Sequence, residues 1–389
     1  MKFRFTLLLT VCTALFGAGS GMAETITVNP GDNLQTALSN AVESDVTLLF
    51  PSGGTFDLNA NLSIKANLKS VTLTGMANNK ASITRLGKFR IQGDTLTALS
   101  VSNVNITGIA NGYIVSESEA KIIGRISFSG CDISDMRGFM RFTSTPKITV
   151  IDTFKVYNSI VHDINHSNSL GFVGVGSGPP PTLYNNILID SCTFYNHSTS
   201  FIVTGRKVNT ISAKNSTFYK IGVKGSILFD FPNSADSIPN TFAVENCIFS
   251  TAYFEDQDGD TIKATRSNVV PNYVTDSYQA SDYKTNPALK GITAYSGTAT
   301  DLFTDPATAN FTLKDAFFDG KKVGDPRWYY KSGEGTSTPA IKDIKGILSR
   351  QYFDLTGKSL AKEPDTKGLF IEKVIHEDGT VYTHKLLKN

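Results

Sequence analysis

The chain has 389 residues, 40% hydrophobic and 19% charged, which is enough apolar surface to bury a core and too little charge for a disordered chain. Its 37 lysines and arginines, less Lys2 and Arg4 of the leader, leave 35 against 35 aspartates and glutamates. With no basic tract and no net positive field, nucleic acid has no electrostatic support as a partner.

Lys2 and Arg4 open a leader. An apolar run at 5–19, "FTLLLTVCTALFGAG", comes next, then the small residues "GMA" at 21–23. That order predicts a secretory signal peptide over 1–23, cut after Ala23, with an apolar run too short to span a bilayer comfortably. A lipoprotein reading would use Cys12, but Val11 precedes it and it sits inside the apolar run. Cys131, Cys192 and Cys247 then remain, an odd number that leaves at least one free thiol.

The segment "GDNLQTALSNAVES" (31–44) places Leu34, Ala37, Leu38, Ala41 and Val42 on one helical face, with Asp32 or Asn33 as N-cap. With "VTLLFPSGGTFDL" (46–58) it is expected to plug the open end of a solenoid, because an uncovered end exposes apolar core and unpaired strand edge.

The solenoid is announced by a repeat. The pattern apolar-x-apolar-x-bend-small-x-apolar runs through Leu99, Val101, Asn103, Val104, Ile106 and through Ile126, Phe128, Gly130, Cys131, Ile133. It recurs from Phe154 to Val161, Ile187 to Phe194, Ile211 to Phe218 and Phe242 to Phe249, with a partial copy at Val71, Leu73, Gly75, Met76. Each copy alternates with period 2, so each is strand. Asn and Gly dominate the bend position because they most readily take a left-handed backbone. Strand, one-residue bend and strand, repeated, predict an all-β, right-handed, single-stranded parallel β-helix. Successive cysteines then stand two coils apart, about 9.6 Å by strand spacing, beyond the ~7 Å reach of a disulfide. They are expected to be free, buried packing residues.

The Gly/Pro-rich "GFVGVGSGPPPTLYNN" (171–186) reads as a loop projecting from one coil. After about 265 the repeat fades, and the turn-rich "TDLFTDPATANFTLK" (300–314) and "GDPRW" (324–328) are expected to close the C-terminal end. Residues 24–330 are thus one solenoid domain, 331–342 a linker and 343–389 a small β unit whose "EDGT" (377–380) turn joins two alternating strands.

The leader, the "PGDNLQTAL…VTLLFPSGGTFDL" opening, the coils and the "DLFTDP…NFTLK…GDPRW" ending resemble secreted pectate-lyase-like β-helix proteins of Bacteroidota, over about 24–330. The tail "YFDLTGKSL…KGLFIEKV…DGTVYTHKLLK" resembles the C-terminal sorting domain of type IX secretion. These resemblances imply the pectin lyase-like solenoid, export to the exterior or outer surface of a Gram-negative cell, contact with the type IX machinery, and a polysaccharide partner for a monomeric protein. They imply little about activity, since many members are uncharacterised. The polygalacturonase "NTD", "DD", "GHG" and "RIK" and the pectate lyase "WiDH" and "RxPxxR" are absent, and the only tryptophan is Trp328.

Function rests on the site. Elimination from a uronic-acid-containing glycan needs a base and cations that neutralise the carboxylate. Arg206 and Lys207 of "TGRKVN", with Arg141 of "FMRF", are the candidate catalytic cations; the plain alternative is a solvated basic turn. His162, Asp163 and His166 of "VHDINH", with His197, could form a base or metal site or contact substrate, and Asp230 of "LFDF" is a further groove candidate; the alternative is surface polarity. Asp256, Asp258 and Asp260 of "EDQDGD" have Ca²⁺-loop spacing, with Gly259 for the turn. The twelfth position, however, is Ser267 and not an acid, and a plain acidic turn fits as well. Two functions stay open: a lyase using β-elimination, with or without Ca²⁺, or a non-catalytic glycan-binding or structural β-helix protein.

Overall fold

The computed structural model describes residues 23–142, 148–164, 172–173, 182–198, 200–203, 208–222, 228–230, 239–252, 267–270, 272–275, 292–295, 297–331, 347–354, 359–360, 362, 364, 368–376 and 381–388. It is a parallel β-helix. One sheet stacks ten strands, from Glu24–Thr27 through Thr95–Ser102 and Thr182–Asp190 to Ser267–Val270. A second stack runs through Val104–Gly108, Asp132–Met136, Ile160–Ile164, Thr193–His197, Thr217–Ile221 and Ile248–Ala252. A third face carries Tyr113–Glu117, Gly138–Phe142, Ile202–Val203 and Phe229–Asp230. No helix among the described residues is long and apolar enough to cross a membrane.

The register reproduces the sequence repeat residue by residue. Leu99, Ile126, Phe154, Ile187, Ile211 and Phe242 are successive partners on the first face. Ile106, Ile133, Val161, Phe194, Phe218 and Phe249 are successive partners on the second. All point inward and are buried, each fully buried side chain contributing about 1.5–3 kcal/mol of hydrophobic stabilisation. Phe194, Phe218 and Phe249 form a stacked ladder, with ring centroids 5.3 and 4.8 Å apart.

Two columns of left-handed residues turn the corners. Between the first and second faces stand Asn103, Gly130, Asn158, Ser191, Asn215 and Asn246, with φ from 45 to 62°. Asn246 Nδ2 donates to Asn215 Oδ1 along the stack at 3.2 Å. Gly75, expected in this column, is not left-handed; it is required because a Cβ there would overlap the Asn103 carbonyl. Between the second and third faces Asp135, Asp163, Asn196 and Lys220 take φ from 53 to 58°.

The alternation of cysteine and serine beside the first bend has a hydrogen-bond reason. Ser159 Oγ accepts the Cys131 amide at 3.1 Å and donates to the Tyr157 carbonyl at 2.8 Å. Ser216 does the same for Cys192 and Lys214. Cys131, Cys192 and Cys247 are buried and not joined in disulfides, as the spacing required.

Helix Leu34–Ser39 is capped by Asn33, which accepts the Thr36 amide at 2.8 Å, and buries Leu34 and Leu38 against the first coils. It is shorter than expected: Val42 lies beyond it and is 79% exposed.

Among the described residues, 299–331 lies as a strap along the outer side of the second face. Leu302, Phe303, Phe311, Leu313, Phe318 and Val323 form a separate core with the outward-facing Tyr219 and Ile248. Tyr and Ile on adjacent coils offered an apolar strip that the strap removes from water. The tail forms an antiparallel sheet in which Gly368–His376 pairs with Val381–Lys388 on either side of 377–380.

Candidate functional site

Residues at alternate positions of the second face point outward, giving two outward columns. The first contains Asn105, Asp132, Ile160, Thr193, Thr217 and Ile248; the second contains Thr107, Ser134, His162, Tyr195 and Tyr219. Stacking therefore brings Asp132 to the coil beside His162, and the left-handed bend at Asp163 turns its carboxylate toward the same imidazole.

His162 is held between two carboxylates. Its Nε2 is 3.0 Å from Asp132 Oδ1 and its Nδ1 is 2.6 Å from Asp163 Oδ2. Carboxylates only accept, so both bonds are satisfied together by the doubly protonated ring. Burial alone would depress the His162 pKa, but the hydrogen bonds and charges of Asp132 and Asp163 outweigh it and hold the pKa above the ordinary histidine value. The ring stacks on Tyr195, centroids 4.6 Å apart and 3° from parallel. Burial raises the Tyr195 phenol, and Asp132, Asp163 and Asp135 raise it further. Asn196 Nδ2 donates to Asp163 Oδ1 at 3.1 Å, and Ser134 Oγ to Asp135 Oδ2 at 2.9 Å. Three carboxylates thus gather around one imidazolium and one phenol.

Two cations lie within electrostatic reach of one another, and one of them of Asp132. Lys80 precedes Ala81, the partner of Val104, so its backbone lies on the coil next to Asn103. Burial lowers its pKa and Arg327 adds to the effect, while Asp132 opposes it. Arg327 comes from the strap, where Nη2 donates to Asn158 Oδ1 at 2.9 Å and Nε lies 3.4 Å from Asp325 Oδ1. Asp325 anchors the strap. Its Oδ2 accepts from Thr193 Oγ1 at 2.7 Å, its Oδ1 accepts from the Arg327 amide at 3.1 Å, and its own amide donates to Thr217 Oγ1 at 3.0 Å. Burial pushes its carboxyl up to about 6. Trp328 Nε1 donates to Thr193 Oγ1 at 2.7 Å.

Of the residues expected from sequence, His162 and Asp163 lie in this cluster. Arg141 lies on the third face, where it pairs in register with Ser116, donates from Nη1 to Tyr113 Oη at 3.5 Å and sits 5.6 Å from that ring's centroid. Asp230 is on the third face too, its backbone paired with Val203. His197 is inside the solenoid, in register with Ile164 and Ile221 and 3% exposed, so no polymer outside reaches it. Its Nε2 donates to the Val161 carbonyl at 3.2 Å, and its Nδ1 has no partner. Burial lowers its pKa to about 4. His166, Arg206, Lys207, Asp256, Asp258 and Asp260 lie outside the described residues. Among the described residues no group of three or more His, Cys, Asp or Glu is arranged to hold a metal ion.

Asp132 and Tyr195 were not singled out but were legible in principle. Each occupies the second strand of a repeat copy, and writing the copies under one another places them beside His162. Lys80 and Arg327 carry no such signal, because one sits before the first full copy and the other is delivered by the strap.

Residues 187–328 match a family described only as a domain of unknown function (DUF5123), and no curated protein matches the chain. The match begins at an inward residue of the coil above His162 and ends at Trp328 of the strap, so Tyr195, Asp325 and Arg327 fall within it, while Lys80, Asp132, His162 and Asp163 precede it.

Proposed function

We propose that this is an exported protein that engages an extended polysaccharide on the outer side of the second face, with Asp132, His162 and Asp163 as its acid–base group. The observation that carries the reading is the imidazole bonded at both nitrogens to carboxylates in a partly open position, with Lys80 within electrostatic reach of Asp132. A flat stack of parallel strands suits a long polymer. Cations near an acid–base group support β-elimination from uronic-acid-containing glycans: one group removes the C5 proton, the C4–O glycosidic bond breaks as the C4=C5 double bond forms, an acid protonates the departing oxygen, and the cations stabilise the carboxylate charge that develops. Export rests on the leader and on the sorting-like tail, which the type IX machinery would read.

A second reading, glycan binding without turnover, draws on the same geometry. An imidazolium locked by two carboxylates is a poor base until one bond is broken. One experiment separates the two. Polygalacturonate, alginate, chondroitin sulfate and neutral xylan are offered to the protein, with absorbance near the ultraviolet band of unsaturated uronates and retardation in affinity gels as readouts. Absorbance that rises with wild type and not with Asp132→Asn supports the lyase. Retardation alone supports the binding protein, and neither response removes polysaccharide from the account.

A further inference from the structure

The first outward column of the second face changes character abruptly. From Thr55 through Asp132 to Ile160 every position is at least partly open to solvent, and the register is continuous. The next three positions, Thr193, Thr217 and Ile248, are 0, 1 and 0% exposed. The cause is the strap. Thr193 Oγ1 is bonded to both Asp325 and Trp328, the Asp325 amide is bonded to Thr217, and Phe311 packs over Tyr195 and Tyr219. The open stretch is four coil steps, about 19 Å at the spacing of neighbouring strands. It ends at the coil that carries His162.

We propose that this open face is blind at one end: the strap closes it just above His162, so the site receives the end of a glycan chain and not its middle. A polymer laid along the axis from the first coils meets the Trp328 and Phe311 wall as soon as it has passed the Asp132–His162–Asp163 cluster. A chain continuing on the same line would have to displace a buried carboxylate and an apolar core. A chain end needs neither. This inference rests on the polysaccharide reading and adds to it the part of the polymer that is bound.

The test uses the full chain and whichever panel polymer retards it in the gels, both intact and as a size-fractionated partial hydrolysate. Saturating binding is measured in solution by calorimetry and expressed as moles of protein per gram of glycan. If chain ends are bound, doubling the number of ends at constant mass doubles the protein bound. Binding per gram that is independent of chain length, or falls as chains shorten, means internal segments are bound and overturns the inference while leaving the polysaccharide reading intact. Retention by no panel polymer overturns that reading, and the inference with it.

Discussion

Replacing His197 by leucine tests the interior of the solenoid. His197 lies in an inward column between Ile164 and Ile221, surrounded by Phe172, Phe194 and Phe201, so an aliphatic side chain of similar volume suits its neighbours. The substitution removes a buried acceptor with no partner, a gain of about 1–3 kcal/mol, and forfeits the Nε2 bond to Val161, a loss of about 1 kcal/mol. Near neutral pH the leucine variant should therefore be as stable as wild type or up to about 2 kcal/mol more stable. Acid separates them. In the unfolded chain the imidazole takes up a proton near its ordinary value of 6.5, whereas in the fold burial delays this to about 4. Unfolding is thus favoured by proton uptake, and this stability is lost as pH falls from the ordinary value through the folded one. The full shift is worth about 3 kcal/mol, of which roughly 2 kcal/mol is gone by pH 5. Urea unfolding of both proteins at pH 7, 6 and 5 reads this directly, and the leucine variant should gain on wild type at each step. A gap that stays constant across that range would mean that His197 already holds a proton, or is reached by solvent, and the interior assignment would be wrong.

Other outcomes are expected. Gly130→Ala should cost about 1–2 kcal/mol in the same assay, since Gly130 has φ +62° and a Cβ would lie 2.4 Å from Asn103 Oδ1; an unchanged midpoint would refute the account of the bend column. Cys131, Cys192 and Cys247 should resist an aromatic disulfide reagent in the native protein and react after unfolding, because they are buried and burial pushes the Cys131 and Cys247 thiols up to about 11 and about 12. Rapid native labelling at any of the three would contradict the packing. Phe311→Ala should cost about 3–5 kcal/mol of strap attachment and make 299–331 a site of limited proteolysis while the coils stay intact. Equal protease resistance in wild type and variant would show that Phe311 does not hold the strap.

Legibility tracked the range of the interactions. The coil of Ile187 could be read directly: Ile187, Ile189 and Phe194 face the core, Ser191 makes the left-handed bend and Cys192 fills the corner beside Ser216. His197 was misjudged because the recognised pattern stopped three residues short of it. Continued past the second bend, the copies put Met136, Ile164, His197 and Ile221 in one inward column, where a histidine is a core residue. The strap was expected at the C-terminal end, and its described contacts lie along the side of the coils. An end cap and a lateral strap need the same composition, namely turns and apolar residues, and differ only in which exposed surface receives them.

The sequence by itself determined the solenoid, its register, its bends and its cysteines not joined in disulfides. Each depends on a residue and its equivalents one coil away, and an exact stack writes that dependence into the chain as a repeat. Only the tertiary structure decided where the strap lies. Trp328 meets Thr193 across 135 residues, through a match between an apolar strip, two threonines and a buried carboxylate that no local pattern encodes. The cluster around His162 depends on both. The ladder supplies Asp132, Asp163 and Tyr195, and the strap supplies Arg327 and the wall that ends the open face.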